Sequence, residues 1–92
     1  MSFNVNLQNL SALESLGLSK VFKAYANDTN MPSIDEVGFN ANSGYVYIAL
    51  EDGICICSLL GGQVEYLVTD FEDGTETFHK TYDKALKHLQ TL

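Results

Sequence analysis

The second half of the chain carries four turn signals at short, regular intervals: Asn42-Ser43-Gly44, Asp52-Gly53, Gly61-Gly62 and Asp73-Gly74. Around them lie IDEVGFN (34–40), YVYIALE (45–51), ICICSLL (54–60), QVEYLVTDFE (63–72) and TETFH (75–79), each of ordinary strand length and rich in β-branched or aromatic residues. Period-two runs broken by such turn formers read as strands joined by hairpins. The spacing predicts an antiparallel β-meander of four or five strands.

Helices flank it. Leu7, Leu10, Ala12 or Leu13, Leu16, Val21, Phe22 and Tyr25 recur at three- and four-residue spacing. Gly17 interrupts this pattern, and Ser19 is a good N-cap, so the segment reads as one helix or as two meeting near Gly17. It ends at Asn27, where NDTNMPS (27–33) supplies turn formers and the only proline. A carboxy-terminal helix starts after Thr81 as N-cap, with Tyr82, Ala85, Leu86, Leu89 and Leu92 on one side and Lys84, Lys87 and Gln90 on the other. At 92 residues and 46% apolar content, this is enough chain for one core. The expected architecture is a single α+β domain spanning residues 1–92: a four- to five-stranded antiparallel meander, an N-terminal helix or helix pair, and a C-terminal helix.

Turn length sets register, and register decides which side chains share a face. With Asp52-Gly53 as a two-residue turn, Leu50 lies opposite Cys55 and Ile48 opposite Cys57. With Gly61-Gly62 as the next, Leu59 lies opposite Val64, Cys57 opposite Tyr66 and Cys55 opposite Val68. One face is then wholly apolar: Val46, Ile48, Leu50, Cys55, Cys57, Leu59, Val64, Tyr66 and Val68. The other is mixed, with Tyr47, Ile54, Ile56, Leu67 and Phe71 among polar neighbours and Phe78 opposite Thr69. Its apolar groups call for a helix on that face, a second copy of the chain or a partner protein.

Charge divides the chain as sharply as pattern does. Residues 24–79 contain ten acids and no lysine or arginine, within a formal net charge of −7. The five cations are all lysines and lie at the helical ends. An acidic chain without arginine is a poor ligand for nucleic acid, phosphate or anionic membranes. The acidic sheet repels polyanions and attracts basic proteins over about one Debye length, roughly 8 Å at physiological salt. Solubility alone also explains acidity. If the charge selects a partner, acids steer the encounter and apolar groups hold it. The residues expected to do so are Glu51, Asp52, Glu65, Asp70, Glu72, Asp73 and Glu76, with Tyr47, Ile56, Leu67 and Phe71.

Catalytic and metal chemistry find little footing. In Asp70-Phe71-Glu72-Asp73-Gly74 the glycine is fifth, whereas a calcium loop of the EF-hand type needs it sixth. Cys55 and Cys57 sit two apart, too close for an unstrained bridge, and with His79 and His88 they lack the spacing of a zinc module. The surroundings of both cysteines are apolar or acidic, which raises a thiol pKa and opposes nucleophilic attack. Glu51/Asp52 and Glu72/Asp73 are exposed pairs with nothing to separate their pKa values. No glycine loop leads from a strand into a helix as a phosphate cradle requires. No enzyme activity, cofactor or metal is expected. Neither a signal peptide nor an apolar run of membrane-spanning length is legible, so a cytoplasmic protein with reduced thiols is expected.

In size, acidity, asparagine content and the segment VGFNANSGYVYIALEDG (37–53), the chain resembles short accessory proteins encoded by phages. Some of these inhibit bacterial defence systems such as CRISPR surveillance complexes or restriction enzymes. The resemblance implies an inhibitor that occupies the basic nucleic-acid channel of a host protein, or blocks a protein contact, without chemistry of its own. It carries over no functional residue. The alternative is a homodimeric structural or adaptor protein that pairs through the mixed sheet face.

Overall fold

The computed structural model describes residues 17–28, 30–40, 42–59 and 62–92. Five strands, β1 (Ile34–Asn40), β2 (Tyr45–Leu50), β3 (Cys55–Leu59), β4 (Val64–Asp70) and β5 (Thr75–His79), form one antiparallel sheet in sequence order. Helix α1 (Leu18–Ala26) precedes it and helix α2 (Tyr82–Gln90) follows it. The α+β meander is therefore as the turn spacing predicts, with all five strands formed.

Gly17, at φ 104°, occupies the left-handed region, and its carbonyl accepts the Lys20 amide at 3.0 Å. That conformation is natural to glycine and starts α1 at Leu18, so Ser19 is a helical residue and not the cap expected from its type. The helix expected over Leu7 to Leu16 lies outside the described residues. At the other end of the chain Thr81 caps α2 as predicted, its hydroxyl accepting the Lys84 amide at 3.2 Å.

Both helices lie on one face of the sheet. Helix α1 packs on β2, β3 and β4, and α2 on β4 and β5. Leu18 and Val21 are fully buried against Ile34, Val37, Val46, Ile48, Leu50 and Ile56, while Ala85 closes over Ile54 and Val68. Tyr66 and Tyr82 join the two clusters. Each fully buried leucine, isoleucine or valine here contributes about 1.5–3 kcal/mol relative to leaving it in water. The Tyr82 hydroxyl donates to Asp52 Oδ2 at 2.7 Å, which ties α2 to the β2–β3 turn. Of the three covers open to the mixed face, a helix, a second copy or a partner protein, the first is not seen: among the described residues no helix lies on it.

The register corrects the identity of the two faces. Ala49, not Leu50, lies opposite Cys55, and Tyr47, not Ile48, opposite Cys57. The cause is one extra turn residue. The Leu50 amide donates to the Ile54 carbonyl at 2.9 Å and the Gly53 amide to the Leu50 carbonyl at 3.0 Å, with Gly53 at φ 97°. This is a three-residue turn, Glu51-Asp52-Gly53, closed by a left-handed glycine. On the other side of β3, Ser58 and not Leu59 lies opposite Val64; Gly61 of that expected turn is outside the described residues. The two one-residue shifts cancel for β4 and invert β3 alone. Ile54, Ile56 and Ser58 therefore face the helices, and Cys55, Cys57 and Leu59 face away. The buried Ser58 hydroxyl is satisfied by donating to the Gly62 carbonyl at 3.0 Å.

Ile56, expected as a contact residue for a partner, is 0% exposed beneath α1 and cannot be one. Ile56→Ala should lower the free energy of unfolding by about 2–4 kcal/mol, measured by urea denaturation. Cys55→Ala should cost less than about 1 kcal/mol. The register predicted from a two-residue turn gives the opposite order.

Candidate functional site

The face away from the helices is built from alternate residues of all five strands. Tyr45, Tyr47 and Ala49 of β2 run beside Cys55 and Cys57 of β3, and beyond them lie Glu65, Leu67 and Thr69 of β4 and Glu76 and Phe78 of β5. Tyr45 and Phe78 come from strands that are not neighbours, yet their rings stack with centroids 5.3 Å apart and planes 23° from parallel. Adjacent strands lie about 4.8 Å apart, so this stack requires a concave sheet with both side chains leaning across β3 and β4. The result is an open groove of about 500 Å³, with Cys55, Cys57 and Leu67 among its lining and Asn40, Ser43, Thr69 and Glu76 as polar groups along it.

At the β1 side the Tyr47 ring lies over Gly38. A β-carbon on Gly38 would stand 2.7 Å from the Tyr47 hydroxyl oxygen and 2.9 Å from Cζ, so the glycine is a seat for the ring. From there the Tyr47 hydroxyl lies within the influence of the Glu36 carboxylate. Burial, and then the Glu36 charge, raise the Tyr47 pKa. Tyr45 is raised likewise, by burial first and then by Cys57, Glu65 and Glu76. The carboxylates that act on these phenols thus belong to the same face.

Both thiols are neutral in this setting. Burial, with the nearby Glu36, Asp52 and Glu76 carboxylates, pushes Cys55 up to about 11. Burial, with Cys55, Glu65 and Glu76, pushes Cys57 up to about 12, and its Sγ–H donates to the Glu65 carbonyl at 3.5 Å. These are apolar lining groups and poor nucleophiles. Phe78 lies opposite Leu67, not Thr69 as expected, which sets His79 opposite Tyr66, and the His79 Nε2 is 3.0 Å from His88 Nδ1 on α2. The sheet therefore separates the imidazole pair from the thiol pair.

The acids expected as contact residues divide by type. Asp52 Oδ1 accepts the Ile54 amide, Asp70 Oδ1 the Glu72 amide and Asp73 Oδ1 the Thr75 amide, each at 2.9 Å. The Thr75 bond lowers the Asp73 pKa. These aspartates shape turns. Glu51 and Glu72 are exposed in turns, and Glu65 and Glu76 stand on the open face. Because consecutive turns of a meander alternate between the sheet's ends, Glu51 and Asp52 share one end with Asp70, Phe71, Glu72 and Asp73. Phe71 is 86% exposed at that tip, and Tyr47 and Leu67 line the groove. Tyr45, Glu36 and the cysteines were missed as groove residues, although Tyr45 stands two positions before Tyr47 and so shares its face.

The chain matches no family model, no curated protein and no solved structure. Fold and face therefore define it: a two-layer α+β domain with one helix-covered and one acidic, aromatic sheet surface. No helix among the described residues is long and apolar enough to cross a membrane.

Gly38→Ala should destabilise the fold by about 1–3 kcal/mol through the clash with Tyr47. The penalty should largely vanish in a Tyr47→Ala background, which a double-mutant cycle measures. The raised thiols give a pH dependence. An unfolded thiol loses its proton near 9, the folded ones only at about 11 and 12. Their contribution is fully present below pH 9 and is lost as pH climbs through that window. Alkylation of the folded protein at pH 8 should be far slower than that of the denatured chain and should accelerate about tenfold per pH unit up to 11.

Proposed function

We propose that this protein is a non-catalytic binding module that engages a basic protein surface through its open sheet face, as an inhibitor of a host nucleic-acid-binding protein would. The observation that carries this reading is the separation of faces. Both helices spend their apolar sides on one surface of the sheet, while Glu36, Glu65 and Glu76 stand with tyrosines and Phe78 on the other. A concave surface combining aromatic anchors with one sign of charge suits a partner of the opposite sign. Occupying a basic channel in this way would exclude nucleic acid from it. The turn glutamates Glu51 and Glu72 would add to steering, and exposed Phe71 to the contact.

The same carboxylates oppose self-pairing of this face, because a twofold axis would bring like charges together. With Ile56 in the core, that pairing also loses one of its expected apolar contacts. Static light scattering should accordingly report a monomer.

The reading is tested with a lysine-rich peptide as probe of the partner class, in stopped-flow association at low and physiological salt. Replacing Glu36, Glu65 and Glu76 together by Gln should slow association about tenfold and flatten its salt dependence. Replacing Lys84 and Lys87 on α2 should not slow it. Equal rates for the glutamine variant and the parent protein would contradict the proposal.

A further inference from the structure

We propose that the groove beside the Tyr45–Phe78 stack is a pocket for one cationic side chain, lysine or arginine, presented by the partner; this rests on the basic-partner reading above. Three features converge there. The first is aromatic surface: Tyr45 and Phe78 stack at 5.3 Å, and Phe78 remains 38% exposed at the groove. A cation set against such a face is drawn by the ring quadrupole, more strongly as water is excluded.

The second is charge. Glu76 lines the groove, and Glu65 is near enough to Tyr45 and Cys57 to act on both. No lysine or arginine lies anywhere in residues 24–79, so the sheet supplies no cation of its own to answer these carboxylates. The third is the lining. Leu67 and the half-buried Cys55, with Cys57 beneath them, offer an apolar surface for the methylene stem of a long side chain, whose charged head then reaches Glu76 at the rim. A volume of about 500 Å³ admits such a side chain together with some of the backbone that presents it. An aliphatic ligand would leave the carboxylates unanswered, and an anionic one would be repelled by them.

The test uses a short lysine-rich peptide, the same peptide with arginine for lysine, and the same peptide with norleucine for lysine, titrated against the full chain by calorimetry and by aromatic carbon-proton NMR. Ring signals of Tyr45 and Phe78 should shift with the lysine or arginine peptide, and the stronger of the two identifies the preferred head group. The norleucine peptide should bind at least tenfold more weakly. Phe78→Leu and Glu76→Gln should each weaken the cationic peptide about 3- to 30-fold. Glu76 is exposed, so its variant keeps the test sound should Phe78→Leu perturb folding. Salt-sensitive binding that neither substitution alters would overturn the pocket while leaving the basic-partner reading intact. Equal binding of the norleucine peptide would overturn the cation preference. Absence of any binding by the cationic peptides would overturn both.

Discussion

The hydrogen bond from the Leu50 amide to the Ile54 carbonyl closes the β2–β3 turn over three residues, and the division of the sheet into two faces depends on it. Side chains in a strand alternate, so adding one residue to a turn moves every following side chain to the opposite surface. Here it sends Ile54 and Ile56 under the helices and leaves Cys55 and Cys57 on the open side. Asp52 supports the turn from both directions, accepting the Ile54 amide on one oxygen and the Tyr82 hydroxyl on the other. The link to Tyr82 joins turn geometry to helix position, because α2 then lies over Ile54 and Val68 and not over the thiols.

The aliphatic core and the surface proposed for recognition thereby lie on opposite sides of one sheet. The helix side buries the aliphatic residues that drive folding, while the open side keeps aromatic and carboxylate groups within reach of solvent. Among the acids, labour is divided by side-chain length. Aspartate reaches its own following amides and builds turns, as Asp28, Asp52, Asp70 and Asp73 do. The longer glutamates do not close such turns and project outward. The cation-free stretch of acids therefore contains aspartates that close turns and other carboxylates that do not.

Much of the architecture was legible because it rests on strong local signals: the left-handed glycines of the turns, the period-two runs and the Thr81 cap. The β3 inversion was not legible. An Asp-Gly pair suits a two-residue turn and the end of a three-residue turn alike. The usual arbiter, an apolar face alternating with a polar one, is absent in Ile54-Cys55-Ile56-Cys57, where either parity buries something apolar. Because the neighbouring register was also displaced by one, Val64, Tyr66 and Val68 still fell on the core face. Of the candidate site, Tyr47, Glu65 and Leu67 fall on the surface expected of them, whereas Ile56, expected there, is buried, and Cys55 and Cys57, expected on the core face, line the groove. The Tyr45–Phe78 stack, made between strands that are not neighbours, depends on sheet curvature that strand patterning does not encode.

The most direct measurement of the central claim is a set of intermolecular nuclear Overhauser effects between a bound lysine-rich peptide and the isotope-labelled protein. Contacts are expected from the peptide's side-chain methylenes to the Tyr45, Tyr47 and Phe78 rings and the Leu67 methyls. Contacts confined to α1 and α2 would contradict the claim.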